Sequence, residues 1–220
     1  MSLNVGFILF PNLTQLDFTG PLQVLHRLPN STTHILAKTR DAVPSDCGLG
    51  LMPTASFAEA PQLDIICIPG GFGVVGAMQD DETIGFVARQ APGAKYVTSV
   101  CTGAFVLGRA GLLQGKRATT HWAYTGLLPM VGATHEPGRV VRDGNVITAG
   151  GVTSGIDFGL TLLAEIAGPE LAQAVQLGIE YDPAPPFDSG HPSRASAAVQ
   201  AMVGGRYETA RGAYRKVLGG

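Results

Sequence analysis

Residues 63–71, LDIICIPGG, are, Asp64 apart, apolar without alternation until a proline and two glycines stop them. A strand with one face in water alternates apolar and polar residues. An unbroken run of this length is what a strand covered on both faces requires, and such strands belong to parallel sheets flanked by helices. The neighbouring segments agree. NVGFILF (4–10), THILAK (33–38), KYVTSV (95–100) and RATTHW (117–122) read as strands, and GLGLMPTASFAE (48–59) as a short β excursion. Between them, GPLQVLHRL, DETIGFVARQA (81–91), TGAFVLGRAGLL (102–113) and AYTGLLPMVG read as helices, the first with Pro21 at its opening position. Residues 139–151 carry Asp143-Gly144 between two β-branched runs, the pattern of a hairpin. The segment 153–168 is the clearest helix, with Ser154 and Asp157 at capping-box spacing. Strands alternating with helices predict an α/β fold with a mainly parallel sheet, whose ligands sit beyond the carboxyl ends of the strands.

The chain has 220 residues, enough for one sizeable core, and only 15% of them are charged. The formal net charge of −2, with no basic cluster, gives nucleic acid little to bind. Three widely spaced cysteines, Cys47, Cys67 and Cys101, fit a reducing compartment better than a disulfide framework. The N-terminus reads as a first core strand and not a signal peptide, and no segment reaches the roughly 20 apolar residues of a membrane span. A cytoplasmic protein is expected. No histidine–cysteine cluster calls for a metal. Gly71-Phe72-Gly73-Val74-Val75-Gly76 has a dinucleotide-like spacing, but the acid that should follow about 20 residues on is absent from APGAKYV (91–97). No cofactor is expected. Residues 182–193 are proline-rich and extended, and the last segment reads as a helix weakened by Gly204 and Gly205. The expected division is an α/β domain over 1–187 with a C-terminal helical extension over 188–220 packed on it.

Cys101 stands where a strand, KYVTSV, passes into a helix. Such a turn exposes its side chain at the sheet top beside unpaired helix N–H groups, which favour a thiolate. Cys67 lies in an apolar strand and Cys47 in a loop, and both read as structural. Thr102 follows Cys101, so an adjacent Cys-His pair is missing, and His121 is the remaining base candidate, against an ordinary place at a strand end. Asp17, in TQLDFTGP, is either a solvated turn acid or a partly buried carboxyl. If buried near the thiol, it would be pushed toward its neutral form and could share a proton with sulfur. Pro69-Gly70-Gly71 reads as backbone that approaches the cysteine and donates N–H groups.

Taken together, GFILFPNLTQLDFTGP, LDIICIPGGFG, YVTSVCTGAFVLGRAGLLQGKRATTHW and ITAGGVTSGIDFGLTL resemble the ThiJ/PfpI superfamily, and within it the bacterial isocyanide hydratases. The resemblance runs from about residue 4 to EYDPAPPF at 180–187. It implies a flavodoxin-like three-layer sandwich with a cysteine elbow, Cys101 as nucleophile, Asp17 as general acid/base, an isocyanide and water as reactants, and a homodimer. Asp17 is the more specific signal, because most of the superfamily has glutamate there. Gly71 and Thr102 are the candidate donors to developing charge, and Gly150 and Gly151 the candidates for close backbone packing. The alternative is a non-catalytic redox or small-ligand sensor built on an exposed, low-pKa Cys101. Similar domains begin some AraC-type regulators, but the short segment after the proline-rich stretch leaves no room for their DNA-binding region. A glyoxalase- or deglycase-like activity is disfavoured by Asp17 and by Thr102.

Overall fold

A computed structural model describes residues 2–219. The elements in chain order are β1 (Leu3–Ile8), α1 (Gln15–Leu25), β2 (Ser31–Ala37), β3 (Val43–Pro44), β4 (Gly50–Leu51), β5 (Ala55–Ser56), β6 (Ile65–Ile68), α2 (Val74–Gln79), α3 (Asp81–Gln90), β7 (Tyr96–Val100), α4 (Ala104–Arg109), β8 (Arg117–Ala118), β9 (Thr134–His135), β10 (Val140–Asp143), β11 (Val146–Ala149), α5 (Ser154–Ala167), α6 (Pro169–Gly178) and α7 (Ala197–Leu218). Seven strands form the main sheet in the order β10-β11-β7-β6-β1-β2-β5. Every pair is parallel except β10–β11, the hairpin turned at Asp143-Gly144. The unbroken apolar runs have the expected cause. All four residues of β6 and of β11 are buried, as are four of the five in β7. Helices α1, α5 and α6 pack together on one side, and α2, α3, α4 and α7 on the other. This is the flavodoxin-like sandwich.

Several local expectations are corrected. Pro21 does not open α1 but lies inside it, and Asp17 sits in its first turn. The helix starts earlier because Thr14 anchors it: the Thr14 N–H donates to Gly70 O at 3.0 Å, and the Asp17 N–H donates to Thr14 O at 3.0 Å. Ser154 and Asp157 form no capping box. Ser154 Oγ donates to Gly151 O at 2.9 Å, while Asp157 pairs with Arg139 and accepts the Tyr181 hydroxyl at 2.7 Å. The strand expected over 117–122 shrinks to Arg117–Ala118, because the Thr119 N–H donates to the Thr148 hydroxyl of β11, the Thr120 hydroxyl donates to Cys101 O, and His121 caps the following 3₁₀ helix. AYTGLLPMVG is part of a 3₁₀ helix, Trp122–Val131. The final helix is unbroken: α7 runs through Gly204 and Gly205, opened by Ser196, whose hydroxyl accepts the Val199 N–H at 3.3 Å.

Candidate active site

Cys101 follows β7 at the carboxyl edge of the sheet and begins a 3₁₀ turn, Cys101–Gly103, that leads into α4. Its φ is +56°, a left-handed value that costs a side-chain-bearing residue about 1–3 kcal/mol. Three contacts impose it. The Cys101 N–H donates to Gly150 O at 2.8 Å, and Thr120 Oγ1 donates to Cys101 O at 2.7 Å. Two residues on, Gly103 is wedged against the end of β6: any Cβ there would collide with Ile68 O and sit 2.7 Å from Pro69 O. The turn can form only where glycine lets the elbow lie directly on the neighbouring strand.

Asp17 and Cys101 come from opposite halves of the sheet and meet across Gly70. A Cβ on Gly70 would lie 2.8 Å from Asp17 Oδ2, 2.8 Å from Cys101 Cβ and 2.6 Å from Thr102 N. The Gly70 N–H donates to Asp17 Oδ2 at 2.9 Å. The other carboxyl oxygen, Oδ1, is buried with no hydrogen-bond partner among the described residues, and the Cys101 thiol neighbours the carboxyl group. Asp17 is 1% exposed and Cys101 5%. The solvated-acid reading of Asp17 is therefore excluded, and so is an exposed thiol at position 101.

Burial pushes the Asp17 carboxyl up to about 7, against the pull of the Gly70 N–H and the Cys101 thiol. Burial, and then the Asp17 carboxylate, push the Cys101 thiol well above its ordinary value, while the Thr102 amide and hydroxyl act the other way. The expected lowering by a helix N-terminus is thus outweighed by desolvation; α4 is only six residues long. Two adjacent buried acids do not both ionise, so the pair keeps at least one proton through neutral pH.

The supporting residues are distributed differently from the expectation. The Gly71 N–H is not a free donor: it donates to Thr102 Oγ1 at 3.1 Å. Gly71 itself, at φ +119°, is required because a Cβ would fall on Thr14 N. Gly150 acts through its carbonyl on Cys101 and not through tight packing, since a Cβ there would make only ordinary contacts. Gly151 does pack closely, with a Cβ position 2.8 Å from His121 Cδ2. His121 reaches the site but not as a base. Its Nδ1 accepts the Ala123 N–H at 3.2 Å, which assigns the ring proton to Nε2, and burial lowers its pKa to about 4. Gly70 approaches the cysteine and donates its N–H, as expected of Pro69-Gly70-Gly71, but the acceptor is Asp17; Thr120 carries a role that sequence reasoning missed, its only signal being its place in TTHW.

A small cavity of about 60 Å³ lies over Cys101, lined by Thr14, Gly71, Thr102, Val152 and four aromatic rings, Phe72, His121, Tyr124 and Tyr207. An apolar cavity of about 150 Å³ holds benzene, so this slot suits a slender group better than a ring. Among the described residues, no group of three or more His, Cys, Asp and Glu side chains could hold a metal ion. None of the described helices is long and apolar enough to cross a membrane.

The fold and the site define a class: flavodoxin-like α/β proteins with a cysteine at a strained strand-to-helix elbow. The model of the DJ-1/PfpI family matches residues 4–165, and the chain belongs to that family. It is 57% identical over 199 residues to isonitrile hydratase of Pseudomonas putida, covering 90% of this chain and 87% of the relative. The crystal structure of a ThiJ/PfpI family protein from Pseudomonas syringae superposes with a TM-score of 0.96 at 40% identity, covering all of this chain and 92% of that one. Drosophila melanogaster DJ-1beta superposes with a TM-score of 0.74 at 26% identity, covering 82% of this chain and 98% of that one.

Proposed function

We propose that this chain is an isocyanide hydratase, a lyase working without a cofactor, with Cys101 as nucleophile and Asp17 as general acid/base. The observation that carries this reading is a buried sulfur and a buried carboxyl meeting across Gly70 at the end of a slot fit for a slender head group. An isocyanide, R–N≡C, presents such a head: its terminal carbon must take up both a nucleophile and a proton. The 57% identity to an isonitrile hydratase supports the same substrate class.

The steps balance on these two residues. The Cys101 thiolate forms a bond to the terminal carbon while the Asp17 proton moves to the same carbon, giving the thioimidate R–N=CH–S–Cys101. Asp17, now a carboxylate, takes a proton from water as the hydroxide adds to that carbon, and passes the proton to nitrogen. The carbon–sulfur bond then breaks and the hydroxyl proton returns to Asp17. The product is R–NH–CHO, and the thiolate and neutral acid are restored. Thr102 stands beside the sulfur, its hydroxyl oriented by the Gly71 N–H, so Gly71 acts through Thr102 and not on substrate. A redox-sensor role finds less support, because oxidation favours exposed, low-pKa thiols and Cys101 is neither.

The test is turnover of cyclohexyl isocyanide to N-cyclohexylformamide by purified protein. Cys101→Ala and Asp17→Asn should each lose at least about a thousandfold in kcat, since an amide delivers no proton. Wild-type turnover no better than Cys101→Ala would end the proposal, and an active Asp17→Asn would remove the acid role.

A further inference from the structure

The family model ends at residue 165, and DJ-1beta covers 82% of this chain; α7 begins at Ala197. Yet α7 builds part of the Cys101 site. Tyr207 lines the slot and lies 5.0 Å, ring centre to ring centre, from His121, 5.3 Å from Trp122 and 6.0 Å from Tyr124. One residue before it, the Arg206 guanidinium sits 4.3 Å over the Phe72 ring, a cation–π contact that holds a second wall of the slot. One turn after it, Arg211 Nη1 donates to Ala123 O at 3.1 Å. Tyr214, 1% exposed, packs its ring against Phe105 and Tyr124 at 5.0 and 4.9 Å. The helix is thus fastened at both ends of the stretch that faces the cysteine.

From this placement we infer that α7 is the specificity element of the site. Tyr207 narrows the entrance so that only a slender, linear head reaches Cys101. The substituent on that head rests outside, against Tyr207, Phe72 and Trp122. These last two rings are partly exposed, at 38% and 37%, as an apolar rim open to solvent requires. The substrate class is therefore a linear terminal group on an apolar aliphatic or aromatic body. The inference deepens the hydratase reading and rests on it for the identity of the head group. The narrowing of the slot by Tyr207 stands independently of that reading.

The test uses full-length wild type, Tyr207→Ala and Tyr207→Phe, and follows alkylation of each cysteine by mass spectrometry. The probes are iodoacetamide, which is slender, and N-ethylmaleimide, which carries a ring. Exposed Cys47 is the internal reference, and buried Cys67, which must stay unmodified, reports that the fold is intact. In Tyr207→Ala the N-ethylmaleimide to iodoacetamide rate ratio at Cys101, relative to Cys47, should rise about tenfold or more, whereas Tyr207→Phe should keep the wild-type ratio. An unchanged ratio in Tyr207→Ala, or an equal change in Tyr207→Phe, would overturn the wall. With cyclohexyl isocyanide, Tyr207→Ala should raise KM about tenfold with a smaller change in kcat. A fall in kcat at constant KM would overturn the rim as the substrate contact. Absence of isocyanide turnover in wild type, with the alkylation ratio shifted as expected, would reject the hydratase reading and leave the narrowing in place.

Discussion

Cys101 owes its conformation to its neighbours' backbone, and the consequences can be measured one residue at a time. Thr120 supplies the hydrogen bond to its carbonyl. Thr120→Val keeps the shape but leaves Cys101 O without that donor, so it should cost about 1–3 kcal/mol in denaturant unfolding. Gly103→Ala is the harsher change. Its Cβ would meet Ile68 O and Pro69 O, which are main-chain atoms that cannot rotate away. A loss of about 3 kcal/mol or more, or no soluble protein, is expected. A Gly103→Ala protein as stable as wild type would mean that the elbow does not rest on β6. The sequence offered Cys101 by its place at a strand–helix turn, whereas Asp17 read locally as a turn acid or a buried carboxyl alike and was singled out by the family resemblance. It announced the approach of Gly70 to the cysteine but not its bond to Asp17, nor Thr120 as the clamp, since a glycine and a threonine carry no local mark of distant partners.

The elements divide into those fixed by local pattern and those fixed by packing. The strands β6, β7 and β11 could be read directly, because burial on both faces leaves no room for polar alternation. Helix α7 forms as its sequence pattern predicts, through two glycines that weaken it. Two adjacent glycines each cost about 1 kcal/mol relative to alanine in a helix interior. The Ser196 cap, the pairing of Glu208 with Arg211 and Arg215, and the burial of Tyr214 offset that cost. A Cβ at either Gly204 or Gly205 would meet nothing within 4 Å. Gly204→Ala and Gly205→Ala should therefore each stabilise the protein by about 0.5–1 kcal/mol, seen as a higher Tm. A lower Tm in both would show that the glycines serve a contact not visible in the isolated chain.

At the scale of the whole molecule, the buried acid couples folding to pH. The native Asp17 carboxyl titrates at about 7 against an ordinary 3.8. Below pH 3.8 both folded and unfolded chains hold the proton, and its contribution is fully present. Between about 4 and 7 only the folded chain holds it, so stability falls as pH rises and the contribution is lost above 7. His121 works in the opposite direction, because its native value of about 4 lies below 6.5 and its contribution is lost as pH falls. Asp17→Asn removes the first effect alone. Relative to wild type it should gain stability between pH 4 and pH 8, by at most about 4 kcal/mol, in urea titrations at a series of pH values. Equal pH slopes in the two proteins would show that the carboxyl is not protonated in the folded state. The unbroken apolar runs, the Asp143-Gly144 turn and the cysteine at the end of β7 determined, from the sequence alone, a mainly parallel α/β fold with a cysteine at its carboxyl edge. These signals are local: each depends on residues within a few positions of one another. The meeting of Asp17 with Cys101 across Gly70, the Thr120 clamp and the closing of the slot by Tyr207 were decided only by the tertiary structure. Each joins residues far apart in the chain through crossovers of the sheet, and burial at that meeting point sets the proton affinities that the proposed chemistry would use.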